Sequence, residues 1–132
     1  MKKLIIPSKL NEGDTVAFIS ISGGRAGDED MIPRYLLGKR RFEKIFHVKV
    51  VETPHALRGS GYLYEHPEKR AEDLMWALKN DSIKGIICNQ GGDDSYRVLP
   101  YTHQVSRAVR SESGRWDRNT RGRLHTQKQP SR

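Results

Sequence analysis

Cysteine is nearly missing from this chain: Cys88 stands alone among 132 residues, which excludes an internal disulfide and suits a reducing compartment. Long apolar runs are missing too. The N-terminal MKKLIIPSKL offers only Leu4, Ile5 and Ile6 before Pro7, too few for a signal-peptide core or a membrane span, so a cytoplasmic location without membrane contact is expected. The five histidines never fall at i, i+3 or i, i+4, so no metal site is expected, nor any other cofactor. Acids are scarce, but only locally. The whole chain carries 24 Lys and Arg against 16 Asp and Glu, a net charge of +8. Residues 102–132 hold eight of those bases and only Glu112 and Asp117 as acids, which leaves residues 1–101 at a net +2. The basic character therefore belongs to the tail.

What is present reads as alternating strands and helices. Thr15–Ser20 (TVAFIS) is a short apolar run after the turn Asn11-Glu12-Gly13-Asp14 and predicts a strand. Ile32, Tyr35, Leu36, Lys39, Phe42 and Phe46 recur at helical spacing and predict an amphipathic helix over 30–46, with Pro33 in its first turn. Residues 48–52 are rich in valine and predict a second strand. Residues 53–66 are expected as a loop. Pro67 opens a second helix whose apolar face is expected to comprise Ala71, Leu74, Met75 and Leu78. Ile83–Cys88 predicts a third strand, apolar on both faces apart from Lys84, and Asp93–Leu99 one or two helical turns. Strands without in–out alternation, joined by helices, predict a doubly wound parallel sheet in an α/β domain. The third strand would leave an unpaired edge unless another strand or chain covers it, so self-association through that edge is expected. The tail keeps no hydrophobic period, and its composition predicts disorder.

Several stretches can be weighed as sites. Gly91-Gly92 follows the third strand, where ligands sit in open α/β sheets. Glycines there admit a ligand to bare backbone N–H groups, although a tight turn without ligand needs them equally. Asp93 and Asp94 are placed to cap the helical turns that follow. Ser20-Ile-Ser-Gly-Gly-Arg-Ala-Gly27 has neither the G-x-G-x-x-G nor the G-x-x-x-x-G-K-[ST] spacing, and Glu52 as a ribose acceptor falls with it; a plain glycine-rich loop is the better reading. Cys88 lacks the small neighbours of a nucleophile elbow, with Ile86 and Gln90 two positions away, and reads as a buried structural thiol. The basic tail with Trp116 has the charge to bind nucleic acid. It lacks repeated aromatics or a helical basic stripe, so a solvated extension is preferred and nucleic acid is not expected as a partner. The alternative kept open is a nucleotide- or anion-binding α/β module with a nucleic-acid-binding arm.

Taken together, KLNEGDTVAFIS, the S-x-S-G-G after it, P-x-x-R-A-x-D-L within residues 67–74, and N-x-G-G-D-D-S-x-R-x-L-P-Y from Asn89 to Tyr101 resemble the N-terminal domain of the serine LD-carboxypeptidases, the group that includes the microcin C self-immunity proteins. Ile21 departs from the proline usual there. The resemblance covers about residues 10–101. It implies a class I glutamine amidotransferase-like N-terminal domain. It also implies metal-free hydrolysis of an amide beside a free carboxylate, in murein tetrapeptides or in a peptidyl nucleotide. By that resemblance the glycine pair lends an N–H to an oxyanion hole, with Ser22, Gly91, Gly92 and Asp93 as candidate oxyanion or substrate-binding residues. A Ser-His-Glu triad would come from beyond Tyr101, its serine in a Gly-Tyr-Ser-Asp elbow. No Gly-Tyr-Ser-Asp follows Tyr101 here, so no catalytic residue is assigned. The expectation is a truncated, inactive piece: a domain over 1–101 and a basic, disordered or frame-shifted tail over 102–132.

Overall fold

The computed structural model of the chain describes residues 6–102. The expected disorder of the basic tail falls on residues 103–132, outside the described residues, as does Trp116. Within them lie three parallel strands and three α-helices. These are β1 (Thr15–Ile19), α1 (Ile32–Phe46), β2 (Lys49–Glu52), α2 (Ser60–Glu65), α3 (Pro67–Lys79) and β3 (Ile83–Cys88), followed by a 3-10 turn at Ser95–Tyr101. The sheet order is β2-β1-β3, with β1 paired in parallel to both neighbours. The α/β class and the parallel sheet are as the apolar runs require; β3 keeps its expected bounds, β1 ends one residue earlier, β2 starts one residue later and α1 starts two residues later.

Both crossovers join parallel strands, but they run in opposite directions along the sheet. Right-handed connections therefore put α1 and α3 on opposite faces. Val16 and Phe18 of β1 join Val48 and Val50 in a buried cluster under Tyr35 and Phe42 of α1. Phe42 meets Phe18 edge-on, with ring centroids 5.3 Å apart, a geometry that adds to the area buried. Ala17 and Ile19, one residue out of phase and wholly buried, are left for the α3 side.

Four expectations need correction. The first is β3, which is half-buried rather than buried on both faces. It forms one edge of the three described strands, so only β1 shields it. Cys88 at its end is exposed, not a buried thiol, for the same reason. Residues 53–66 are not all loop, because α2 occupies Ser60–Glu65. Its N-terminus is held by Asp28, whose carboxylate accepts from the Ser60 N–H (2.7 Å) and hydroxyl (2.9 Å). Pro67 keeps His66 out of helical geometry (φ −122°, ψ 65°) and so separates α2 from α3. Finally, the buried face of α3 is Arg70, Ala71, Asp73 and Ala77, while Leu78 is exposed. Small and fully paired polar side chains turn inward here.

Candidate functional site

The loops leaving β1 and β3 meet at the carboxyl ends of these neighbouring strands. β1 sends its crossover toward β2, away from β3, the arrangement that opens a crevice at a switch point. Ser20 and Asn89 tie the two strand ends together. The Asn89 side-chain amide donates to Ser20 Oγ (3.0 Å), the Ser20 hydroxyl donates to the Ala56 carbonyl (2.9 Å), and the Asn89 N–H donates to the Ile19 carbonyl (2.7 Å).

Beyond these ties the two glycine pairs interlock. The Gly23 N–H donates to the Gly91 carbonyl (3.0 Å). Gly92 has φ +88°, and a Cβ there would lie 2.3 Å from Gly23 N and 2.5 Å from Ser22 Oγ. Glycine is thus required twice over at this position, by its backbone conformation and by the neighbouring loop. Gly91 (φ +123°) faces open space. Among the described residues neither the Gly91 nor the Gly92 N–H finds an acceptor, and both residues are exposed.

One carboxylate organises the surroundings. Asp94 accepts from both terminal nitrogens of Arg70, at 3.1 Å each, and from the Ser22 hydroxyl at 3.2 Å. Its own N–H donates back to Ser22 Oγ (3.3 Å), and Arg97 lies 3.6 Å away. The Arg70 guanidinium, aided by Ser22 and Arg97, holds the Asp94 carboxyl below the usual carboxylate range. Arg70 is completely buried. Its Nε donates to the Leu63 carbonyl (2.7 Å) and its Nη1 to that of Ile21 (3.4 Å), so α2, α3 and both glycine loops converge on one guanidinium. A fork of fixed N–H donors suits this bidentate role.

A second buried carboxylate supports α3. Asp73, with no exposed surface, accepts from the Thr53 hydroxyl (2.7 Å), the His55 N–H (3.0 Å) and His55 Nδ1 (2.6 Å). Glu52, at the end of β2, is taken up by Lys39 (2.7 Å) and the Tyr35 hydroxyl (3.0 Å).

The structure therefore brings Ser22, Gly91 and Gly92 into contact. Asp93 is exposed beside them. Asp94 does not cap the following turn through its side chain, because its carboxylate is turned to Arg70. Reasoning from the sequence missed Arg70, Asn89 and Ser20 as parts of this site, although all three lie inside the quoted motifs. A cleft of about 530 Å³ lined by Leu10, Asn11, Asp14, Leu78, Ile83 and Lys84 opens at the other ends of β1 and β3 and contains none of these groups. Among the described residues no three His, Cys, Asp or Glu side chains form a cluster able to hold a metal ion, and no helix is long and apolar enough to cross a membrane.

The profile of the LD-carboxypeptidase N-terminal domain matches residues 16–112. The chain belongs to this family. The LD-carboxypeptidase match runs past Tyr101 by eleven residues. Among solved structures the chain is similar to an MccF-like protein from Streptococcus pneumoniae in complex with AMP, with 39% identity and a TM-score of 0.64 over 68% of this chain and 26% of that one. It is also similar to the microcin C7 self-immunity protein MccF in its wild-type apo state (24% identity, TM-score 0.61, 74% and 28% covered), a likeness of fold. The same protein in complex with glutamyl sulfamoyl guanosine is 25% identical, with a TM-score of 0.58 over 72% and 28% of the two chains. This LD-carboxypeptidase domain thus spans little more than a quarter of the solved proteins it resembles. Among curated proteins no match is found.

Proposed function

We propose that this domain supplies the oxyanion-binding half of a serine peptidase site, one that hydrolyses an amide beside a free carboxylate in a small peptide or peptidyl-nucleotide conjugate. The observation that carries the reading is the pair of backbone N–H groups of the exposed residues Gly91 and Gly92, without acceptors among the described residues, just beyond the carboxyl ends of β1 and β3. Such donors stabilise a developing oxyanion by about 3 kcal/mol each. Ser22 is occupied by Asp94 and acts as a clamp, not as a nucleophile. Asp93 borders the site from the solvent side.

The sequence carries no Gly-Tyr-Ser-Asp elbow after Tyr101. The chain alone therefore gives no turnover of an L,D-tetrapeptide in the cytoplasm, its proposed location, or in vitro. Turnover near that of an intact serine peptidase refutes this part of the reading. The half-site itself is tested on the wild-type chain by titrating acetate and following the Gly91 and Gly92 amide resonances. Saturable shifts confined to these glycines and Ser22 are expected, and their absence refutes the anion-binding role. The edge of β3, unpaired among the described strands, supports self-association, read by sedimentation as a concentration-dependent dimer; a monomer at all concentrations refutes it.

A further inference from the structure

The anion-binding reading gives no part to Arg70 or Asp94, yet the glycine turn is anchored through them. We propose that Arg70 and Asp94 are positioning residues: their ion pair, latched by Ser22, holds the Gly91–Gly92 turn in the one backbone geometry that keeps its N–H groups exposed and unbonded. The inference rests on the reading above for its purpose, but not for its test.

Four observations carry it. Two consecutive residues with φ of +123° and +88° occupy conformations that glycine can leave as readily as enter, so the turn needs outside restraint. On its upstream side that restraint is the hydrogen bond from the Gly23 N–H to the Gly91 carbonyl, together with the ties of Asn89, two residues before Gly91, to Ile19 and Ser20. On its downstream side it is Asp94, two residues from Gly92, fixed by two bonds from Arg70 and a reciprocal pair with Ser22. Finally, Arg70 is wholly buried while the Asp94 side chain keeps 18% of its surface. The charge on α3 is thus committed to the site loop, and the carboxylate lies next to solvent where the turn emerges. A buried guanidinium is costly unless its donors are met. Four of its N–H bonds are directed here, two to Asp94 and one each to the Leu63 and Ile21 carbonyls.

The full chain with 15N-labelled glycine and backbone tests this by NMR relaxation. In the wild type the Gly91 and Gly92 amides should show order parameters near the rigid value of about 0.85. In Asp94→Asn, which keeps the size and the Ser22 contact but removes the charge, they should fall below about 0.6, the flexible range, while Val16–Ile19 stay unchanged. Arg70→Lys, which retains the charge without the fork, should give intermediate values. A merely structural role would loosen β1 and α3 together with the turn, and that pattern overturns the proposal. So do rigid glycines in Asp94→Asn. Should Asp94→Asn not fold, Ser22→Ala is read in the same way: flexible glycines on an intact sheet support the latch, and rigid ones overturn it. No ligand enters these measurements, so their failure is separable from failure of the acetate titration in the wild type.

Discussion

Gly92→Ala concentrates the reasoning about this site into one measurable number. The new Cβ would sit 2.3 Å from Gly23 N, 2.5 Å from Ser22 Oγ and 2.7 Å from Gly23 Cα, so backbone has to move. A side chain at φ +88° costs about 1–2 kcal/mol, and forcing apart two packed loops costs a further ~1–3 kcal/mol. The smaller conformational freedom of the unfolded alanine chain returns about 0.4–1 kcal/mol. The net expectation is a destabilisation of about 1–5 kcal/mol, centred near 3, a large share of the ~5–15 kcal/mol that stabilises an ordinary domain. Gly91→Ala is the matched control. Its φ is also positive, but nothing lies within 4 Å of the added carbon, so only the backbone cost of about 1 kcal/mol remains. Urea unfolding followed by circular dichroism separates the two. With a slope of about 2 kcal/mol per molar, the midpoint of Gly92→Ala should lie roughly 1 M below that of Gly91→Ala. Equal midpoints would mean that the loops after β1 and β3 do not interlock, and the site description would fail with them.

Three further outcomes follow from the same contacts. Gly38 lies within α1 with open space around it, so Gly38→Ala should raise stability by about 1 kcal/mol in the same urea assay; a loss contradicts the helix. Asp73→Ala leaves the Thr53 hydroxyl and both His55 donors without an acceptor. It should cost about 3 kcal/mol, and a loss under about 1 kcal/mol contradicts the buried network. Asp94 and Asp28 are both held below the usual carboxylate range, the first by Arg70 and the second by the Ser60 N–H. Because the folded carboxyls release protons more readily than the unfolded ones, their contribution is full above the unfolded value of about 3.9 and is lost as pH falls through the folded values. The urea midpoint should therefore hold above about pH 4 and drop as pH falls below it, less steeply in Asp28→Asn, and a flat profile contradicts both assignments.

The amino-acid order by itself determined the layered architecture. TVAFIS is too apolar to face water on either side, and with the apolar runs around Val50 and at Ile83–Cys88 the helical periods between them leave parallel crossovers as the economical solution. The position of the glycine pair, directly after the third strand, was also legible. What hydropathy concealed was the inward face of α3. Arg70 and Asp73 count as solvent-seeking residues in any window, yet each is wholly buried because its partners arrive from elsewhere in the chain: Asp94 and Ile21 for the first, Thr53 and His55 for the second. The same holds for α2, whose N-terminus is held by a carboxylate 32 residues upstream. The exposure of Cys88 likewise turned on the position of β3 at an edge of the described sheet. Periodicity records only neighbours along the chain, whereas burial of a charge is decided by partners across it. Tertiary structure alone could therefore show that the two glycine loops are joined through one guanidinium.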